Sequence, residues 1–111
     1  MASQLFTEVQ IWGEINAAVH RMTPEQARMW ERAKIAPERW SAPTYGAAQT
    51  GFWAMAVMGQ TVVWYDDIEN GFVVTECVHF GTIGGNSSGE TSLEGAMQEL
   101  INRLSSVSTP A

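Results

Sequence analysis

Cys77 and His79, two residues apart in this 111-residue sequence, are a residue pair that could activate a thiol for nucleophilic attack. A histidine that takes the proton of a cysteine thiol produces a nucleophile. On an extended strand the two residues share a face, with Thr75 and Tyr65 nearby, but they lie roughly 6.5–7 Å apart, too far for a direct hydrogen bond. The pattern supplies no third group to orient the histidine. A half-buried pair on a sheet is the simpler interpretation, and a small-molecule-binding protein or small enzyme with a shallow pocket near Cys77, His79 and Tyr65 is the alternative.

The loop GGNSSGETS, residues 84–92, is one residue away from a phosphate-binding loop. Gly84, Gly89 and Thr91 fit the pattern G-x-x-x-x-G-K-[ST], but Glu90 occupies the lysine position. Two like charges about 4 Å apart repel by roughly 4 kcal/mol at an effective dielectric constant of 20. A glutamate facing phosphates would therefore oppose binding. The loop is predicted to be a connection that binds no nucleotide, and no cofactor is expected.

A cluster of four carboxylates, Asp66, Asp67, Glu69 and Glu76, surrounds a predicted hairpin. Close to a solvent-facing turn, such residues usually form the turn and keep the protein soluble. They could also form an acidic tip that meets a basic partner, or a weak cation site. With two histidines and one cysteine in the chain, the usual closed zinc spacings cannot be built, so no metal site is predicted.

Composition and charge exclude several classes of function. The chain is 45% hydrophobic with five tryptophans, which is not the composition of a disordered protein. The net charge is −6, and residues 40–102 contain no lysine or arginine, so a nucleic-acid footprint is not expected. No apolar run approaches the roughly 18 residues of a membrane span. The start lacks the basic segment of a signal peptide, and a lone cysteine forms no internal disulfide. We expect a single cytoplasmic domain over residues 1–111.

Apolar periodicity predicts the helices that must position these residues. Residues 5–22 and 92–105 each place their apolar side chains on one side of a helix. Between them, TPEQ at 23–26 is a helix start with a capping box, and the helix it begins should end at about Ala36, before Pro37. Thr91 and Glu94 form a similar capping signature before the last helix.

Three strands are predicted at 52–58, 61–68 and 72–80. Gly59-Gln60 suits a two-residue type II′ turn, and Glu69-Asn70-Gly71 suits a three-residue turn that ends in a left-handed glycine. The register that follows places Trp53 and Trp64 together on the core face. The predicted fold is α+β, of order ααβββα. It is a three-stranded antiparallel meander with two N-terminal helices and one C-terminal helix packed on one face.

The opposite face of this sheet would then be half apolar and uncovered. Exposed apolar patches of this kind usually mark association surfaces, although the connection 37–51, with Trp40 and Tyr45, could fold over it. The predicted function is a small non-enzymatic protein-association module, homodimeric or immunity/adaptor-like. Its partner is another protein or a second copy, and neither nucleic acid nor membrane is expected as a partner. The predicted partner-binding residues are Asp66, Asp67, Glu69, Tyr65, Val73, Cys77 and His79.

The second hairpin also carries a resemblance. Residues 64–72 read W-Y-D-D-I-E-N-G-F, and they resemble a W-Y-x-D-I-E-x-G-F hairpin in small bacterial proteins, where it follows a proline-tryptophan connection. The likeness covers residues 37 to 101. Because no activity is known for such proteins, the resemblance implies a bacterial protein and assigns no site residue.

Overall fold

The computed structural model describes residues 7–42, 47–67, 69–77, 79–83 and 89–108. Within these ranges the chain forms three helices and one four-stranded antiparallel sheet in the strand order β1-β2-β3-β4. This confirms the α+β class and the antiparallel sheet, but the sheet has one strand more than predicted. The elements in chain order are α1 (Glu8–Val19), α2 (Pro24–Ala33), β1 (Lys34–Ala42), β2 (Ala47–Met58), β3 (Thr61–Asp66), β4 (Gly71–Glu76) and α3 (Leu93–Ser108).

The additional strand is β1, which occupies the predicted end of the second helix and the start of the predicted connection. Its register is irregular between Lys34 and Glu38, around Pro37. A proline has no N–H to donate, so it is tolerated on an edge strand where that donor is not needed. A helix cannot continue into this segment, but an edge strand can contain it.

The helices begin where their capping residues are. Thr23 and Gln26 form the predicted capping box of α2, and Thr7 and Gln10 form a second one that starts α1. The third helix differs from the prediction, because Ser92 rather than Thr91 accepts the N–H of Gly95 at its first turn. All three helices pack on one face of the sheet, as predicted. Their buried contacts there include Ile11, Ile15, Ala18, Met29, Trp30, Ala33, Leu93, Ala96, Met97 and Leu100.

The first hairpin has the predicted turn. Met58 pairs with Thr61 across Gly59-Gln60, and Gly59 adopts a φ of 61°, as the first position of a type II′ turn requires. Three residues further along, however, the register shifts by one between Ala54 and Ala56. Such a bulge adds one residue to β2, so the strand changes faces relative to its partner.

The second hairpin also differs from the prediction. Asp66 pairs with Gly71, so four residues rather than three connect β3 to β4. The Asp66 carboxylate accepts the N–H of Glu69 at 3.1 Å, and its carbonyl accepts the N–H of Asn70 at 2.7 Å. Asn70 itself has a φ of 62°. The asparagine, and not the glycine after it, therefore takes the left-handed position.

Together these two shifts turn β3 over. Trp53 packs on the helix side, whereas Trp64 packs on the other side against Phe52, with ring centroids 4.7 Å apart. The predicted shared face of Trp53 and Trp64 is therefore wrong. Because the second shift reverses the first, Phe72 and Val73 return to their predicted faces.

The face away from the helices is covered by the chain itself. Trp40 is 1% exposed there, and its neighbours are Phe52, Ala54, Val62, Trp64, Val73, Cys77 and Ile83. After β4 the chain crosses this face. Cys77 donates its N–H to the Gln60 carbonyl at 2.7 Å, and Ile83 donates its N–H to the Ser41 carbonyl at 2.8 Å.

The predicted uncovered apolar face is therefore wrong, because its described apolar residues are buried or half-buried within one chain. The alternative, that the connection 37–51 covers it, holds for Trp40, which reaches the face as part of β1. Tyr45 lies outside the described residues. We call Cys77 and residues 79–83 the crossing segment.

Candidate functional site

A cavity of about 350 Å³ opens at the end of the sheet where β3 meets β4. We call it the acidic cavity. Helix α1 forms one wall, and the segment that leads into α3 forms another. The side chains that give it its character are Glu14, Arg21, Tyr65, Asn70, Phe72 and Glu90.

Tyr65 and Phe72 form an aromatic pair in this cavity. They are cross-strand partners in the β3–β4 register, and their rings meet edge to face with centroids 4.9 Å apart. The reversal of β3 places Tyr65 on the helix side of the sheet, where it faces α1 rather than the crossing segment. The bulge in β2 and the four-residue connection are therefore what put this phenol in the cavity.

Glu90 reaches the cavity because a glycine lies beside it. A Cβ added to Gly71 would lie 2.5 Å from the Glu90 Cβ, so only glycine allows this approach. Thr91 and Phe72 exchange two backbone hydrogen bonds of 2.8 Å, which fix the segment to the outer edge of β4. Glu90, the residue that occupies the lysine position of the phosphate-loop pattern, thus lines the acidic cavity. Residues 84–88 of that loop lie outside the described residues.

The potential in the cavity is negative at Tyr65. Burial raises the pKa of the Tyr65 phenol first, and the charges of Glu14, Asp67 and Asp66 raise it further. Negative charges oppose the formation of a phenolate and favour a cation in the same place. Glu14 of α1 and Asp66 and Asp67 of the second hairpin therefore act on the same phenol.

Arg21 is the one basic residue of the described cavity lining, and Glu94 of α3 holds it. The Arg21 Nε lies 2.8 Å from the Glu94 carboxylate, and its Nη2 lies 3.4 Å from the other oxygen. This hydrogen bond raises the pKa of Arg21 and lowers the pKa of Glu94. Since the guanidinium is already paired with Glu94, it offsets the negative charge of Glu94 more than the charges of Glu14 and Glu90.

The structure places three of the four carboxylates of the predicted acidic cluster at one end of the sheet. Asp66 is buried and holds the turn, Asp67 is half-buried and Glu69 is exposed, all at the same end of the sheet as the cavity. Glu76 pairs with Thr61 at the opposite end. The predicted four-carboxylate cluster therefore separates into three residues near the cavity and one remote residue.

The predicted grouping of Tyr65 with Cys77 and His79 is wrong. Tyr65 packs on the helix side, Cys77 lies buried on the other side beside Val73, and His79 is exposed. Burial raises the pKa of the Cys77 thiol, so less thiolate forms at neutral pH and the sulfur is a poorer nucleophile. Within the described chain, the structure brings no reactive pair together here.

A second cavity of about 410 Å³ lies between α1 and the junction of α2 with β1. We call it the apolar cleft, and its walls include Trp12, Asn16, Val19, Trp30, Lys34 and Ile35. Sequence analysis missed both cavities. Glu14 and Glu90 carry no local signal, since they are far apart in the chain and meet only through the fold. The cleft did have a signal, because Val9, Trp12, Asn16 and Val19 have the spacing of a helix-packing seam.

No group of three histidine, cysteine, aspartate or glutamate side chains in the described ranges could hold a metal ion. Nor does the described chain contain a helix with the length and apolar character needed to cross a membrane. Comparison with family models, with curated proteins and with solved structures finds no match to this chain, so the resemblance of residues 64–72 to a bacterial hairpin stays a prediction.

Proposed function

We propose that the protein is a small non-enzymatic association module that captures a basic side chain of a partner protein in the acidic cavity. The observation that carries this proposal is the combination of Tyr65 and Phe72 with the carboxylates of Glu14 and Glu90 in one cavity. An arginine or lysine side chain has an apolar stem and a charged end, and this lining suits both parts.

The aromatic rings and the carboxylates favour a cation, and Arg21, which opposes one, is paired with Glu94. A cation over a tyrosine or phenylalanine ring gains about 0.5–2 kcal/mol, and a hydrogen bond to a charged group contributes about 1.5–3 kcal/mol. A volume of about 350 Å³ is at the small end of ligand sites. That size suits one side chain of a partner better than a large free ligand.

The charges outside the cavity support the same partner. Asp67 and Glu69 lie at this end of the sheet, and residues 40–102 contain no lysine or arginine. A one-sided field of this kind steers a basic partner and accelerates its association, and salt weakens it. An immunity or adaptor role, in which an acidic protein covers a basic surface of its partner, is the biological form we propose.

The alternative of an enzyme or small-molecule site near Cys77, His79 and Tyr65 has no geometric support. The sheet separates the thiol from the phenol.

A matched pair of short peptides tests the proposal. One peptide carries a single arginine between glycines, and the other carries the uncharged isostere citrulline. We expect the arginine peptide to shift the NMR signals of Tyr65 and Phe72 at low salt, and the citrulline peptide to leave them unchanged. The double variant Glu14→Gln/Glu90→Gln should weaken binding of the arginine peptide by roughly 10- to 100-fold.

The control is the double variant Glu25→Gln/Glu76→Gln. It removes the same net charge from two exposed positions that do not line the cavity. Equal binding of the two peptides, or equal weakening by the two double variants, would contradict a cation site in the acidic cavity.

A further inference from the structure

Helix α1 has a second apolar stripe besides the one that packs on the core. Ile11, Ile15 and Ala18 form the buried stripe. Val9, Trp12, Asn16 and Val19 follow one another at intervals of three, four and three residues, which is the spacing of a seam between paired helices. We call these four residues the α1 seam.

The α1 seam is open to solvent at its N-terminal half. Val9 is 81% exposed and Trp12 is 40% exposed. Both are large apolar residues on a helix whose core contacts are already made by other positions. An α-helix turns by about 100° per residue, so the seam lies roughly a third of a turn away from the buried stripe.

The C-terminal half of the seam borders the apolar cleft. Trp12, Asn16 and Val19 line it from α1, and Trp30 and Ile35 line it from the other side. Val9, at the N-terminal end of the seam, thus forms a ridge, and the rest of the seam borders a hollow. A two-fold axis at the middle of such a helix places each ridge in the hollow of the other copy, as an isologous interface requires.

We propose that a second copy of this chain docks on the α1 seam, with the two α1 helices antiparallel. In this arrangement Val9 lies opposite Val19 of the second copy, and Trp12 lies opposite its Asn16. A polar residue at one position of a seam fixes its register, and Asn16 is that residue here.

Charge complementarity selects the antiparallel orientation. Glu8 lies beside Val9 at one end of the seam, and Lys34 lines the apolar cleft at the other end. Antiparallel docking therefore brings Glu8 toward Lys34 of the second copy. Lys34 forms an ion pair with the exposed Glu31 of its own chain at 2.8 Å. Such surface pairs contribute little to stability, so Lys34 can exchange Glu31 for Glu8 of the second copy at little cost. A parallel pair would instead bring Glu8 beside Glu8, which is repulsive.

The dimer is compatible with the proposed function and does not depend on it. Glu14, which lines the acidic cavity, lies on the other flank of α1 from the seam. The seam is only about three turns long, so its interface is at the small end of the range for specific association. We expect a dimer whose population rises with concentration.

Sedimentation equilibrium over a range of concentrations tests the dimer against a chain mass of 12.2 kDa. We expect the mass to rise to twice that value, and Trp12→Ala to weaken association by about 30-fold, as for an anchor residue at the centre of an interface. Leu104→Ala is the matched control, because Leu104 is also 40% exposed but lies on α3. It should leave the dimer unchanged.

A charge exchange tests the orientation. Glu8→Lys should weaken the dimer, and adding Lys34→Glu in the same chain should restore it. Circular dichroism of each variant separates loss of association from loss of folding. A protein that stays monomeric up to about 1 mM, where the binding free energy is only about −4 kcal/mol, would overturn the proposal. So would a dimer that Trp12→Ala leaves intact. The double variant Glu14→Gln/Glu90→Gln should not change the mass of the assembly in solution. Loss of cation binding in the acidic cavity and loss of the dimer are therefore distinguishable.

Discussion

The two faces of the sheet are both buried, but they are covered in different ways. On the helix side, whole elements with their own apolar periodicity cover the sheet. On the other side, the Trp40 side chain of β1 and the irregular crossing segment cover it. A sheet face can therefore be a core without a second layer of helices, provided that large side chains of the sheet pack on one another.

The two sides should also differ in how they open. The helix side is held by contacts from three helices. The described part of the crossing segment is held by backbone hydrogen bonds to Gln60 and Ser41 and by the contact of Phe80 with Trp40. Regions with few regular hydrogen bonds open before the whole protein unfolds. The comparison therefore concerns local stability as well as architecture.

The largest expected effect tests whether the second side is as much a core as the helix side. Trp64 is fully buried there, and its indole N–H donates to the Thr75 hydroxyl at 3.2 Å. Replacing a buried tryptophan by alanine costs about 3–5 kcal/mol of unfolding free energy. Met97→Ala is the counterpart on the helix side, fully buried on α3, and should cost about 2–5 kcal/mol. Urea unfolding measures both, and a cost below about 1 kcal/mol for Trp64→Ala, as for a surface position, would break the comparison.

A smaller but still large effect is expected where β2 approaches Trp40. Gly51 has a φ of 70°, and a Cβ there would collide with the backbone carbonyl of Trp40. We therefore expect Gly51→Ala to cost more than about 2 kcal/mol, since both the left-handed backbone and the contact are unfavourable. Gly13→Ala is the matched control on the exposed face of α1, where a Cβ meets nothing, and it should stabilise the protein by about 1 kcal/mol. Thermal unfolding of the two variants should show shifts of opposite sign.

The smallest expected effect is a dependence of stability on alkaline pH. Burial raises the pKa of the Cys77 thiol, so the folded protein holds this proton more tightly than the unfolded chain. Its contribution to stability is complete below the ordinary thiol pKa and is lost as the pH rises through the pKa of the folded state. Chemical denaturation at a series of pH values should show this decline, and Cys77→Ala should reduce it.

Tyr65 needs a separate control in that experiment, because burial and acidic neighbours also raise the pKa of its phenol. The Tyr65 contribution begins to decline only near the ordinary pKa of a phenol, which is higher than that of a thiol, and Tyr65→Phe should remove it. An identical alkaline decline in the wild-type protein and in Cys77→Ala would show that the thiol of the second side takes no part in it.

Local signals predicted the parts of the fold that depend on neighbours in the chain. The capping box of Thr23 and Gln26 started α2, and Gly59-Gln60 made the first turn. The stripe of α3 was equally clear, although its cap is Ser92. For the candidate site, the sequence predicted an acidic second hairpin from Asp66, Asp67 and Glu69, but it grouped Tyr65 with Cys77 and His79. Glu14 and Glu90 could not be found in this way, because only the fold brings them together.

Local sequence signals were sufficient for the α+β class, the start of α2, the apolar stripe of α3 and the acidic character of the second hairpin. These depend on apolar spacing, capping residues and charge, which are local properties of the chain. The tertiary structure decided which face each residue of β3 takes and what covers the second side of the sheet. One extra residue in β2 and one in the second connection reverse a whole strand, because side chains alternate with a period of two. The choice between such registers depends on contacts between residues far apart in the chain, and no short stretch of sequence determines those contacts.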